Sequence, residues 1–209
     1  MADEHASPKI EVRVADKKDV DAIIALSSKV FRDEAPYTRG MILGQLSAFP
    51  EGQFVVAYEG EIVGYAATMM LKERKALAQH SWAEVTGGGY AAMHDRKGDW
   101  LYGMEVCVDP DKRRLRIGKR LYDARRRLAQ DLHLKGIAFG GRMPGWKRNA
   151  KKFDSPEAYL EAVKRSEIRD PVASFHLKAG FEPLRLLKNY YPADTASGGY
   201  GVLMGWRNP

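Results

Sequence analysis

A mixed α/β fold is what this sequence predicts, with one central sheet of about seven strands and helices on both of its faces. Three observations lead there. Seven short segments rich in β-branched and aromatic residues are spaced along the chain. Segments with helical periodicity lie between them. One of these, after Asp109-Pro110, carries a sustained apolar stripe together with most of the positive charge.

The first strand is Ile10–Val14, where Ile10, Val12 and Val14 alternate with Glu11 and Arg13. Asp16, with Asp19 three residues on, opens a helix. Its stripe is Val20, Ile23, Ile24, Val30 and Phe31. A second short helix is expected over residues 37–48. Segments 53–58 and 62–71 form a hairpin closed by Glu59-Gly60. Residues 72–99 then break the pattern. His80, Trp82, the glycines at 87–89 and His94 mark an ordered insertion of the kind that often carries function.

Trp100–Val108 is the next strand, ended by Asp109-Pro110. Leu121, Ala124, Leu128 and Leu132 form one helix face, closed by Gly136. Residues 137–141 are a short buried strand. Residues 142–169 are a helical insertion after this fifth strand, with Ser155-Pro156 opening a helix over 156–166. Asp170-Pro171 caps another helix that ends at Gly180. Segments 181–187 and 200–206 are the last two strands. Residues 9–209 read as one domain after a frayed polar segment, 1–8.

Composition narrows the function. A chain of 209 residues is long enough for one self-sufficient core. Its single cysteine, Cys107, excludes a disulfide framework and a cysteine-built zinc site. No apolar run approaches the ~18 residues of a membrane span. The start carries Asp3 and Glu4 and no apolar core, unlike a signal peptide, so a cytoplasmic protein without a membrane partner is expected. The formal net charge is +7. Between Lys112 and Arg127 stand nine basic residues and one acid, Asp123, so this segment alone is +8 and the rest of the chain −1. A nucleic-acid binder more often spreads its basic residues over a face or tail. One concentrated segment points to a small polyanionic ligand, with Arg125, Arg126 and Arg127 read as a solvated helix face.

The same segment carries the strongest motif: a strand ends at Val108, proline forces a turn, and a basic loop from Arg113 to Lys119 runs into a helix. The first N–H groups of a helix lack internal partners and sit at the positive end of its dipole, which suits a phosphate or pyrophosphate. Gly118 removes a Cβ where a ligand approaches the backbone. The alternative is an ordinary strand–helix junction with solvated arginines.

Arg113, Arg114, Leu115, Arg116, Ile117, Gly118 and Lys119, after Val108-Asp109-Pro110, resemble the acyl-CoA-binding motif R/Q-x-x-G-x-G/A of the GNAT acyltransferase superfamily. Arg116 stands where the family has its middle glycine, and a positive φ there is disfavoured for arginine. The segment from Ala173 to Phe181 is similar to the family's late helix, with His176 at the usual tyrosine position and Phe175 replacing leucine. Asn189-Tyr190-Tyr191-Pro192 is similar to a loop between the last strands of some members. Further stretches, among them Gly140-Gly141-Arg142-Met143-Pro144-Gly145, resemble the acetyltransferase half of bacterial proteins fused to a carbon–nitrogen hydrolase; the 209 residues contain no hydrolase.

The resemblance implies a mostly antiparallel GNAT sheet and an acetyl-CoA-dependent N-acyltransferase acting on a primary amine, small-molecule or peptide, without metal. It leaves open a homodimer and a separate hydrolase partner. It also implies that the strand end at Val106, Cys107 and Val108 splays from its neighbour, pairs with the pantetheine arm and offers an N–H to the thioester oxygen. Glu105 is the candidate base, its alternative being a rim carboxylate paired with an arginine. His176 is the candidate acid toward the departing thiolate, its alternative being a packed helix histidine. Trp82, His94, Tyr190 and Tyr191 are expected at the acceptor pocket. His80 and His94 lie too far apart for good metal spacing. Cys107 reads as a buried thiol rather than a nucleophile. Two competing classes remain: a CoA-binding sensor without turnover, and a nucleic-acid binder.

Overall fold

The computed structural model describes residues 9–31 and 36–209, so the segment 1–8 lies outside it. Seven strands form one sheet in the order β1-β2-β3-β4-β5-β7-β6. They are β1 Ile10–Val14, β2 Phe54–Tyr58, β3 Glu61–Leu71, β4 Trp100–Val108, β5 Gly136–Arg142, β6 Glu182–Leu187 and β7 Gly201–Arg207. Every pairing is antiparallel except that of β4 with β5. This is the mixed, mostly antiparallel sheet that the sequence predicts.

Local chemistry explains the elements. The β2–β3 turn places Glu59 at φ 51° and Gly60 at φ 87°, the two left-handed residues of a tight hairpin. Asp16 accepts the Lys18 N–H and Asp19 answers the Asp16 N–H, so one capping box leads into α1, Val20–Val30. Thr38 caps α2, Arg39–Ala48. The insertion after β3 holds two short helices, α3 Glu73–Ala76 and α4 Trp82–Thr86, the second with a Ser81–Glu84 capping box. Thus 72–99 is ordered, as expected, but more helical than its sequence pattern shows.

Helix α5, Ile117–Asp131, packs Ile117, Leu121 and Ala124 against β2 and β3. Gly136 does not close it. The chain turns at His133, φ 51°, and Gly136 starts β5, where a side chain would run into the Trp206 carbonyl. Leu132 is exposed, beyond the last helical turn. The insertion after β5 contains α6, Trp146–Asn149, and α7, Pro156–Lys164. Fully buried Asp170 holds it in place, accepting from the Gly145 N–H, the Tyr159 hydroxyl and the N–H groups of Val172 and Ala173 at the start of α8, Ala173–Lys178.

Two irregularities of β4 shape the centre of the sheet. Its antiparallel register with β3 shifts between Ala67 and Thr68, leaving Met104 as the extra residue of a bulge. Its parallel pairing with β5 covers only Leu101, Tyr102 and Gly103. Beyond that point β4 turns away while β5 continues beside β7.

Candidate active site

A cleft of about 520 Å³ opens where β4 and β5 part. Backbone alternation decides which β4 groups face it. The Asp109 N–H bonds the Val63 carbonyl on β3. Cys107, two residues earlier and paired with Tyr65, points its backbone the same way, which leaves the Val106 and Val108 N–H groups toward the split. Cys107 therefore has no backbone donor there, and its side chain is buried, with the thiol pushed well above its ordinary pKa by burial. The thiol is therefore buried, as the sequence suggests, and Cys107 is not among the residues that line the cleft.

Glu105 stands on the cleft wall. Its Oε1 accepts the Val106 N–H at 2.8 Å, and its Oε2 accepts the Tyr37 hydroxyl at 3.2 Å. The donor expected to meet the thioester oxygen is thus held by the carboxylate next to it. Tyr37 is buried at a position that the sequence assigns only to a helix; no motif marks it.

His176 lines the opposite wall and is 8% exposed. Its Nδ1 lies 2.8 Å from the Tyr122 hydroxyl. Its ring meets Phe139 edge-on at 4.8 Å and approaches Gly141, where a Cβ would fall 3.2 Å from Nε2. Burial, with the nearby Arg125 charge, lowers its pKa from 6.5 to about 3. The imidazole is neutral, so the imidazolium acid expected at this position is not the resting form. Nothing in the sequence singles out Tyr122, four residues after Gly118.

Arg125 corrects the reading of a solvated basic face. It is 1% exposed and lines the cleft. Four residues after Leu121, it falls on the inward stripe of α5, a spacing that outweighs its polarity. Its Nη2 donates to the carbonyls of Ala67, at 2.8 Å, and Glu105, bridging the strands where their register shifts. Arg126 is also drawn in, over the rings of Phe181 and Trp206 at 5.0 and 5.5 Å.

Three of the four residues expected at the acceptor pocket line the cleft: Trp82, Tyr190 and Tyr191. The Trp82 indole donates to the Met104 carbonyl at 3.1 Å and meets Tyr37 and Tyr191 edge-on. Tyr190 is buried against Gly140 and Gly201, either of which would collide with its ring if it bore a Cβ. His94 is elsewhere. It stacks on Phe49 at 4.8 Å, and its Nδ1 accepts the Met70 N–H at 3.1 Å. That bond anchors the insertion to β3, and the expected acceptor role for His94 has no geometry behind it. His80 is buried too, Nε2 2.8 Å from the Tyr102 hydroxyl, its pKa lowered by burial to about 4. Among the described residues no cluster of three or more His, Cys, Asp or Glu is arranged to hold a metal ion.

Just after the end of β4, a 3-10 turn over Pro110–Leu115 leads into α5. The first bond closing α5 runs from the Arg120 N–H to the Arg116 carbonyl, 3.1 Å, and no side chain caps the preceding N–H groups among the described residues. Arg116 takes φ 55° and ψ 33°, a left-handed conformation that favours glycine, so the arginine adopts the positive φ that its side chain disfavours. Asp109 steadies the turn, accepting the Asp111 N–H at 2.9 Å and pairing with Lys29 at 2.8 Å. Gly118 is used differently from expectation: the Phe175 ring covers it, 3.0 Å from where a Cβ would lie.

No helix among the described residues is long and apolar enough to cross a membrane. Residues 20–144 match the Acetyltransferase (GNAT) family. The chain is 42% identical over 200 residues to the probable hydrolase YhcX of Bacillus subtilis (strain 168), covering 96% of this chain and 39% of that protein. It therefore spans well under half of that relative. It is 30% identical over 203 residues to the uncharacterized N-acetyltransferase YkwB of the same strain, covering 95% of this chain and 89% of the other. Among solved structures, the GphF GNAT-like decarboxylase in complex with isobutyryl-CoA superposes with a TM-score of 0.79 at 24% identity, covering 95% of this chain and all of that one, a likeness of fold. A family match over more than half of the sequence, and a relative matched along nearly its whole length, place this chain in the GNAT acetyltransferase family.

Proposed function

We propose that the β4–β5 split is the site of acyl transfer from acetyl-CoA to a primary amine, within a ternary complex. The observation that carries this is the split itself. It offers strand N–H groups that no neighbouring strand pairs, between a carboxylate, Glu105, on one wall and a phenol–imidazole pair, Tyr122 and His176, on the other.

The residues fit the donor. The uncapped start of α5, reached through the left-handed Arg116, presents N–H groups to a pyrophosphate, with Arg113, Arg114, Leu115, Ile117, Gly118 and Lys119 completing the loop. The open side of β4 at Val108 receives the pantetheine arm, which leaves the Val106 N–H for the thioester oxygen. A CoA thioester supplies an acyl carbon that an uncharged amine can attack; the C–N bond forms, the C–S bond breaks, and CoA leaves as thiolate.

Glu105 takes the amine proton, directly or through water. As a carboxylate it holds the Val106 N–H. Protonated, it is a weaker acceptor, so the donor is released as the thioester oxygen gains charge. A preorganised donor of this kind is worth about 3 kcal/mol in a transition state. The thiolate takes its proton at the Tyr122–His176 pair, and the neutral imidazole orients the phenol. Trp82, Tyr190 and Tyr191 border the acceptor.

The acceptor is an amine whose identity the aromatic wall does not specify. A carbon–nitrogen hydrolase acting on the same molecule belongs to this reading, since YhcX is called a probable hydrolase and this chain spans 39% of it. The test is a screen of amines for acetyl-CoA-dependent thiol release. Glu105→Gln should lower kcat by ~10²–10⁴-fold and leave acetyl-CoA affinity unchanged. A variant with full activity would remove Glu105 as the base.

A further inference from the structure

The cleft contains a charge that acyl transfer itself does not use. Arg125 is 1% exposed on its floor. Only Nη2 donates to protein acceptors, the carbonyls of Ala67 and Glu105, and Nε is buried with no acceptor among the described residues. Glu105 directs its carboxylate elsewhere, to Val106 and Tyr37. The closest aromatic support is the Tyr122 ring, 5.7 Å from the guanidinium carbon.

Two carbonyl dipoles solvate the buried cation, and Glu105 acts on it only through space, its carboxylate bonding other donors, so burial still disfavours the charge and Nε is left without an acceptor among the described residues. A solvated helix face would not place an arginine here; neither would a purely apolar acyl pocket. Gly103 adds a second, independent observation. A Cβ on it would stand 3.0 Å from Nη1 and 3.2 Å from the Phe139 Cβ, so the glycine makes room for the guanidinium at the cleft wall that both residues line. The cleft wall thus contains a desolvated guanidinium whose hydrogen-bonding capacity the described residues do not fill.

The position decides which substrate carries the matching anion. Arg125 shares its wall with Tyr122, Phe139 and His176, beside Gly103 and Val106, where the acyl thioester is placed. The acceptor aromatics Trp82, Tyr190 and Tyr191 pack in or against the core cluster that contains Tyr65 and Cys107, whereas Tyr122 and Phe139 belong to the cluster of Leu101 and Val202. Strand alternation puts these on opposite faces of the sheet.

We infer that Arg125 reads a carboxylate on the acyl group, so that the donor class this site favours is a CoA thioester of a short dicarboxylic acid. This rests on the split being the acyl-CoA site. Acetyl-CoA remains a donor that fits but brings no acceptor for the guanidinium.

The test is calorimetric titration of the wild-type chain with CoA, acetyl-CoA, malonyl-CoA, succinyl-CoA and acetoacetyl-CoA. The last is a neutral, near-isosteric partner of malonyl-CoA. A charge-assisted bond in a desolvated site should make malonyl- or succinyl-CoA bind ~10–100-fold tighter than acetoacetyl-CoA. Arg125→Met should erase that preference and leave CoA affinity unchanged, while Arg125→Lys should keep part of it. If Arg125→Met does not fold, the wild-type comparison decides alone. Equal affinity for charged and neutral donors overturns the inference but leaves the acyl-CoA site standing, provided CoA binds. A preference that survives Arg125→Met overturns the assignment to this residue. No binding of CoA itself overturns both.

Discussion

Nδ1 of His176 and the hydroxyl of Tyr122 lie 2.8 Å apart in the wall of the cleft. This pair replaces what the sequence suggests at that place, a lone histidine titrating near neutrality. With the His176 pKa lowered to about 3, no imidazolium is present to lose above pH 6. The kcat–pH profile should therefore show no alkaline limb assignable to His176. His176→Ala should lower kcat by about 10²-fold, with acetyl-CoA affinity intact. Tyr122→Phe should do the same, and the double variant should lose little more, because the two act as one unit. Additive losses would separate them.

Arg116 adopts a conformation normally left to glycine, φ 55°. A left-handed non-glycine residue is strained by about 1 kcal/mol. Arg116→Gly should relieve part of that and raise the melting temperature by a few degrees while keeping acetyl-CoA affinity. A large loss of affinity would show that the arginine side chain, and not its backbone, holds the ligand.

Two buried histidines tie stability to pH. In the folded chain the His80 pKa is about 4 and that of His176 about 3, both below the ordinary 6.5. Below pH 6.5 the unfolded chain binds protons that the folded chain refuses, so stability falls as pH drops through that window. Each histidine contributes up to about 1.4 kcal/mol per pH unit. Denaturant midpoints measured from pH 7 to pH 4 should fall, and His80→Gln should flatten the slope. An unchanged slope would mean that His80 is accessible to protons in the folded chain.

Tyr191 and Trp82 meet edge-on at 5.8 Å in the cleft wall proposed to border the acceptor. Tyr191→Ala should raise the acceptor KM several-fold and leave acetyl-CoA affinity unchanged, as expected of a residue that touches only the acceptor. Loss of acetyl-CoA binding would place the aromatic wall on the wrong substrate.

The strands were legible because their signals are local. The hairpin at Glu59-Gly60 and the alternation in Ile10–Val14 need no tertiary context. The turn into α5 was legible for the same reason. The interior of the site was not. Arg125 was hidden by its charge, although its spacing from Leu121 puts it on the buried stripe. Tyr122 carried no motif, and its meaning comes from a contact with His176, 54 residues away in sequence. His94 misled in the opposite sense: an imidazole in a long loop suggests a ligand-facing group, whereas here it satisfies the Met70 N–H. Side-chain partnerships across the sheet do not follow from periodicity.

Acyl transfer to an amine in the β4–β5 split, with Glu105 as base, is open to one direct measurement. It is mass spectrometry of the products from isotope-labelled acetyl-CoA and a panel of primary amines, with wild type and Glu105→Gln side by side. Free CoA and labelled acylated amine should form in equal amounts for at least one amine, with the rate falling ~10²–10⁴-fold in the variant. Free CoA without any acylated amine, or acylation at the same rate in both proteins, would contradict this assignment.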